Sequence, residues 1–102
     1  MTDDATNALD LPLGWVAITD LDERGKLEGE LRREIVPAHV LAKERVTAIA
    51  RKLRRDDYLF ALDGGRVASV HLTWAIEKDP CWPWTTIFAS LDEWRRDPDY
   101  DG

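Results

Sequence analysis

One cysteine, Cys81, stands among the 102 residues, so no internal disulfide supports the fold. Apolar burial must stabilise it instead, and a chain of this size can form one domain with a modest margin. Long hydrophobic runs are also missing: nothing approaches the roughly 20 apolar residues of a membrane span. The opening MTDDATNALD has neither the basic nor the apolar region of a signal peptide. These features point to the cytoplasm and away from membranes. Histidine is scarce as well. His39, His71 and Cys81 lack the local spacing of a zinc motif, so neither a metal nor another cofactor is expected. Gly64-Gly65 is too short to cradle a nucleotide phosphate, and no longer glycine motif is present.

Bases are outnumbered, 14 Lys and Arg against 20 Asp and Glu, for a net charge of −6. That balance disfavours nucleic acid and suits solubility or a basic protein partner. The charge is segregated. Residues 1–30 hold eight acids against Arg24 and Lys26, whereas 43–55 hold Lys43, Arg45, Arg51, Lys52, Arg54 and Arg55 against Glu44. The basic band reads as a solvated strand edge and turn, with a phosphate or acidic-protein contact as the sharper alternative. Apolar content of 44% and charged content of 33% describe a globular chain.

What the chain has in abundance is tryptophan. Four of the five, Trp74, Trp82, Trp84 and Trp94, fall between Arg66 and Trp94. Such a segment either closes the core or meets a partner.

Residues 1–10 read as a flexible acidic terminus, 11–97 as a single domain and 98–102 as an acidic tail. Trp15 to Ile18 reads as a short extended piece. Asp20, with Glu23 three residues on, imitates a capping box and starts a helix. Leu27, Leu31 and Ile35 give it one apolar stripe. Pro37 disfavours helical geometry at Val36 and ends it. Residues 36–44 predict a loop, followed by a strand over 46–52, although 38–51 also tolerates a helical reading. Tyr58 to Leu62, then Asp63-Gly64-Gly65, then Arg66 to Trp74 predict a hairpin. Thr85 to Phe88 adds a further short strand, and Ser90 caps a last helix with Glu93 at its third position. The expected fold is α+β: a three- to four-stranded antiparallel meander with an N-terminal helix and a short C-terminal helix.

A two-residue turn at Gly64-Gly65 pairs Leu62 with Val67, Phe60 with Ser69 and Tyr58 with His71. A turn at Asp63-Gly64 shifts the pairing but keeps the faces. Leu59, Ala61, Ala68, Val70, Leu72 and Trp74 then form an apolar face under the helices. Tyr58, Phe60, Ser69, His71 and Thr73, with Leu62 and Val67, form a mixed face. It is either a half-exposed surface or the floor of a binding site. The loop Asp79-Pro80-Cys81-Trp82-Pro83-Trp84 is stiffened by two prolines, which lowers the entropy lost when Trp82 and Trp84 are held for a partner. The alternative is that the indoles, one or both, fold back as a lid on the core.

Catalytic signatures are weak. A His71–Cys81 thiolate pair needs mutual reach and an orienting third group, which spacing does not supply. A two-histidine ribonuclease-like site at His39 and His71, with Lys43 or Arg66 on phosphate, runs against the acidic charge. The carboxylate neighbours Asp22-Glu23, Asp56-Asp57 and Asp92-Glu93 point to different sides and read as turn and helix-start charges.

The run DYLFALDGGRVASVHLTW, with DPCWPWT and ASLDEW after it, resembles small uncharacterised bacterial proteins sharing a VHLTW strand, a D-P-x-W-P turn and a closing S-L-x-x-W helix. The resemblance covers about a third of the chain and extends toward the ELRREI helix. It implies the strand–turn–helix layout and a bacterial or phage origin, and lends no activity.

The leading expectation is a small acidic, non-enzymatic protein-binding module of inhibitor, immunity or antitoxin type. Its contact residues would be Tyr58, Phe60, Ser69, His71, Thr73, Trp82 and Trp84. A homodimer through the aromatic segment would use the same surface. The alternatives are a small enzyme or ligand-binding module using His71, and nucleic-acid binding through residues 43–55.

Overall fold

The computed structural model describes residues 11–97, and the acidic terminus and acidic tail expected at 1–10 and 98–102 lie outside those residues. The chain runs β1 (Trp15–Ala17), α1 (Leu21–Glu34), β2 (Thr47–Lys52), β3 (Asp57–Ala61), β4 (Val67–His71), β5 (Trp84–Phe88) and α2 (Leu91–Arg95). The strands form one antiparallel sheet in chain order. The α+β class, the meander and the two helices match expectation. The sheet, however, has five strands rather than three to four, because both short extended pieces pair as its edges. Among the described residues no helix is long and apolar enough to cross a membrane.

Local chemistry sets the helix ends. Asp20 caps α1 by accepting the Asp22 N–H (3.3 Å), not that of Glu23, so the capping-box pattern is realised only in part. Leu27 and Leu31 are buried, and the extended Ile35 stops the helix two residues before Pro37. At α2 the Ser90 hydroxyl accepts the Glu93 N–H (3.1 Å), while the Glu93 carboxylate turns back to the Ala89 N–H (2.7 Å).

The β3–β4 connection corrects the expected register. It is not a two-residue turn: Leu62 to Arg66 form a longer link around a 3-10 turn at Asp63–Gly65, with Gly64 and Gly65 at φ 77° and 80°. Those positive angles favour glycine. Tyr58 therefore opposes Val70, Phe60 opposes Ala68 and Asp57 opposes His71. This is one step from either expected pairing. Because side chains alternate, a one-residue slip changes which residues of the two strands share a face. Tyr58 and Phe60 join Ala68, Val70 and Leu72 in the core under α1, with Ile18, Leu27 and Leu31. Leu59 goes to the opposite face.

That opposite face holds a second core: Trp15, Ala50, Leu59, Val67 and Trp94, with Phe88 and Leu91 at its margin. The Trp15 and Trp94 rings meet edge to face at 5.0 Å. A bulge in β2 serves both cores. Ala48 pairs with Phe60 and Ala50 with Leu59, so two alanines that ordinary alternation would place together bury on opposite faces. The helix satisfies the disturbed backbone, since Arg24 Nε donates to the Ala48 carbonyl (2.9 Å) and Glu28 accepts the Ala48 N–H (2.9 Å).

Both faces should therefore respond to truncation. Trp94→Ala and Phe60→Ala are each expected to cost about 3–5 kcal/mol in urea unfolding. A Trp94→Ala loss within about 0.5 kcal/mol, as at a surface position, would contradict the second core.

Candidate recognition site

The register divides the expected contact residues. Tyr58 and Phe60 are buried in the α1-side core and are unavailable to a partner. Thr73, beyond the end of β4, is engaged with Glu34. Ser69 and His71 lie on the α2 side of the sheet, where Ser69 opposes Thr86 and His71 opposes Trp84. Asp57, His71 and Trp84 thus form one row across β3, β4 and β5. Trp82 joins this row, its ring 6.1 Å from that of Trp84. Neither indole is a core lid: Trp82 is 39% exposed and Trp84 37%.

His71 is held by its cross-strand neighbour. The Asp57 carboxylate lies 2.8 Å from Nδ1 and fixes the ring, leaving Nε2 as its other polar atom. The His71 side chain is nearly half exposed. Arg55 flanks the same carboxylate at 3.5 Å. Asp57 was not among the expected contact residues, because only the correct register sets it opposite His71.

Three anchors fix the segment that carries the tryptophans. First, Glu34, fully buried at the end of α1, accepts from the Thr73 N–H (2.9 Å), the Thr73 hydroxyl (3.0 Å) and the Trp74 N–H (2.7 Å). Trp74 has φ 57°, an unfavourable conformation for a bulky residue, and its N–H is one of those captured. Second, His39 is buried and receives the Leu41 N–H at Nδ1 (3.0 Å), so Nε2 donates to the Pro83 carbonyl (3.0 Å). Third, Asp79 closes the turn before Trp82, its carboxylate accepting the Cys81 N–H (3.0 Å) and its carbonyl the Trp82 N–H (3.0 Å). The Trp82–Pro83 peptide is cis. Glu34 and His39 were not foreseen as anchors, since no local sequence signal links positions 39 to 44 residues apart.

The chemistries weighed as alternatives gain little from the geometry. Hydrogen bonding to Asp79 pushes the Cys81 thiol above its ordinary range, the reverse of an activated thiolate. His39 is committed to Pro83 and Leu41. Among the described residues no three His, Cys, Asp or Glu side chains converge as a metal site. The basic band is interleaved with acids: Arg51 meets Glu23 (3.0 Å), Arg55 meets Asp57, and Arg45 meets Asp63 (3.6 Å). Such exposed pairs add little stability, but they weaken the field a polyanion would feel.

Compared with protein-family models, curated proteins and solved structures, the chain matches none.

Glu34 carries a pH signature. Burial and the hydrogen bond to Glu30 push its carboxyl above the ordinary range, against the pull of the Thr73 and Trp74 donors. Burial also opposes the charge on Glu30, but its hydrogen bond with Glu34 and the Arg33 guanidinium (2.8 and 2.9 Å) outweigh this and hold it low. Between the ordinary glutamate value and Glu34's raised one, the native state keeps a proton that the unfolded chain has released. The Glu34 contribution to stability is thus full in acid and declines as pH rises. Glu34→Gln cannot titrate, so the stability advantage of wild type over this variant should shrink as pH rises through that window. Urea unfolding at a series of pH values checks it, and an advantage that grows would contradict the assignment. Glu34→Ala, which strands two backbone N–H groups, should cost about 2–4 kcal/mol.

Proposed function

We propose that this chain is a small non-enzymatic binding module that covers a partner protein's surface, with Trp82, Trp84 and His71 at the centre of the contact. The observation that carries this reading is the tryptophan pair: two neighbouring indoles, each more than a third exposed, on a segment tied down by Glu34, His39 and Asp79. Anchored aromatic side chains offer large contact area at low entropic cost, which is why they dominate interface energetics. His71 and Asp57 add a polar pair beside them. A net charge of −6 favours a partner with a basic docking face. Blocking a surface, as inhibitors, immunity proteins and antitoxins do, requires such a patch and no catalytic group. A reducing compartment such as the cytoplasm suits the exposed thiol of Cys81.

The Asp57–His71 contact favours a second reading, in which Nε2 of the oriented imidazole accepts a proton from a bound small molecule. Capture from a host lysate separates the two. Wild type should retain a stoichiometric protein, and Trp82→Ala or Trp84→Ala should weaken its binding by roughly tenfold or more. Leu21→Ala, on the exposed side of α1, should leave it unchanged. Equal retention by all folded variants would remove the module reading. A small-molecule conversion lost in His71→Ala would put the second in its place.

A further inference from the structure

The two edges of the sheet differ. β1 has three residues, and shortness is one of the usual protections of an edge. β5 has five, Trp84-Thr85-Thr86-Ile87-Phe88. It has no charge, proline or glycine, and it runs against β4 without a bulge from Val67–Phe88 to His71–Trp84. The whole stretch Cys81 to Ser90 is uncharged in a chain whose charged content is 33%. Every position of β5 keeps some exposure, whereas Leu59, Phe60, Ala68 and Val70 on the inner strands are fully buried.

The strand is also self-complementary. Turned end for end about Thr86, it places Trp84 opposite Phe88 of a second copy on the α2 side. Thr85 falls opposite the second copy's Ile87 on the α1 side. Thr86 meets its own counterpart on the axis. Aromatic, β-branched and threonine pairs are favoured cross-strand combinations. Charge permits the approach. The acids of α1 (Asp22, Glu23, Glu28 and Glu30) belong to the helix packed over β2. Glu23 pairs with Arg51 and Glu28 accepts the Ala48 N–H, both on β2, Glu30 pairs with Arg33, and β5 itself presents no charge to its counterpart.

We propose that two copies of this chain join through antiparallel pairing of their β5 strands, making one continuous ten-stranded sheet about a two-fold axis at Thr86. The interface is isologous, so each copy caps the other's open edge in a single contact that leaves no further β5 edge for growth. The proposal shares Trp84 with the partner-binding reading, but it is tested at Thr86, which that reading does not use, so the failure of one is distinguishable from the failure of the other.

Sedimentation velocity and cross-linking test it. Wild type should sediment as a concentration-dependent dimer. Thr86→Lys sets two like charges against each other on the axis and should weaken dimerisation by roughly tenfold or more. In a Cys81→Ser background, Thr86→Cys should yield a disulfide-linked dimer under mild oxidation, because directly opposed Cα atoms lie about 4.5–5.5 Å apart. Thr85→Cys, whose opposite residue is Ile87, should remain uncross-linked. Circular dichroism confirms that each variant is folded. A wild type that stays monomeric throughout, with no cross-link at Thr86, would overturn the proposal. A dimer indifferent to Thr86→Lys, or one that cross-links equally at 85 and 86, would do the same.

Discussion

A single buried carboxylate ties the halves of this protein together. Glu34 ends α1 and accepts three hydrogen bonds from Thr73 and Trp74, where the chain leaves the last central strand. A charge-bearing group with no solvent exposure is costly unless its partners are in place. Here the partners include two consecutive backbone N–H groups that would otherwise lack acceptors beyond the sheet ladder. The contact holds the positive φ of Trp74, sets the direction in which the chain leaves β4, and so determines where the next ten residues begin. Glu30 and Arg33 surround it with a shared proton and a counter-ion. The helix is thus fastened to the recognition segment by chemistry as well as by its Leu27 and Leu31 stripe.

The sheet supplies the other constraint. Five antiparallel strands are buried on both faces, under α1 on one side and under Trp94 of α2 on the other. α2 covers the second face only around Trp15, Leu59 and Val67. The row of Asp57, His71 and Trp84 shares that face but stays open. The recognition site is the part of the second face that the short helix does not reach. Its residues are positioned by strands while the adjoining loop adds Trp82, a division between rigid scaffold and displayed side chain that suits binding.

Much of the architecture was legible because it rests on local signals. Ser90 with Glu93, the Leu27 and Leu31 stripe, and the turn residues around Gly64 each act over a few positions. The hairpin faces were not legible. Leu59 and Phe60 are adjacent and both fully buried, so alternation of apolar and polar residues gives no vote on register when both faces are covered. The longer turn then decided it, moving Tyr58 and Phe60 from the anticipated open face into the core and bringing Asp57 to His71. The β2 bulge hid the second core in the same way, since Ala48 and Ala50 look like one face. Whether Trp82 and Trp84 are displayed or folded back on the core was not legible, because their anchors, Glu34 and His39, come from distant parts of the chain. Nothing in either neighbourhood marks them.

Native-state amide hydrogen exchange at Thr73 and Trp74 tests the central role of Glu34 most directly. If the carboxylate fastens this segment, both amides should exchange as slowly as those within β4, although they lie past the strand's end. Exchange at the rate of an open loop, with β4 itself still protected, would contradict it.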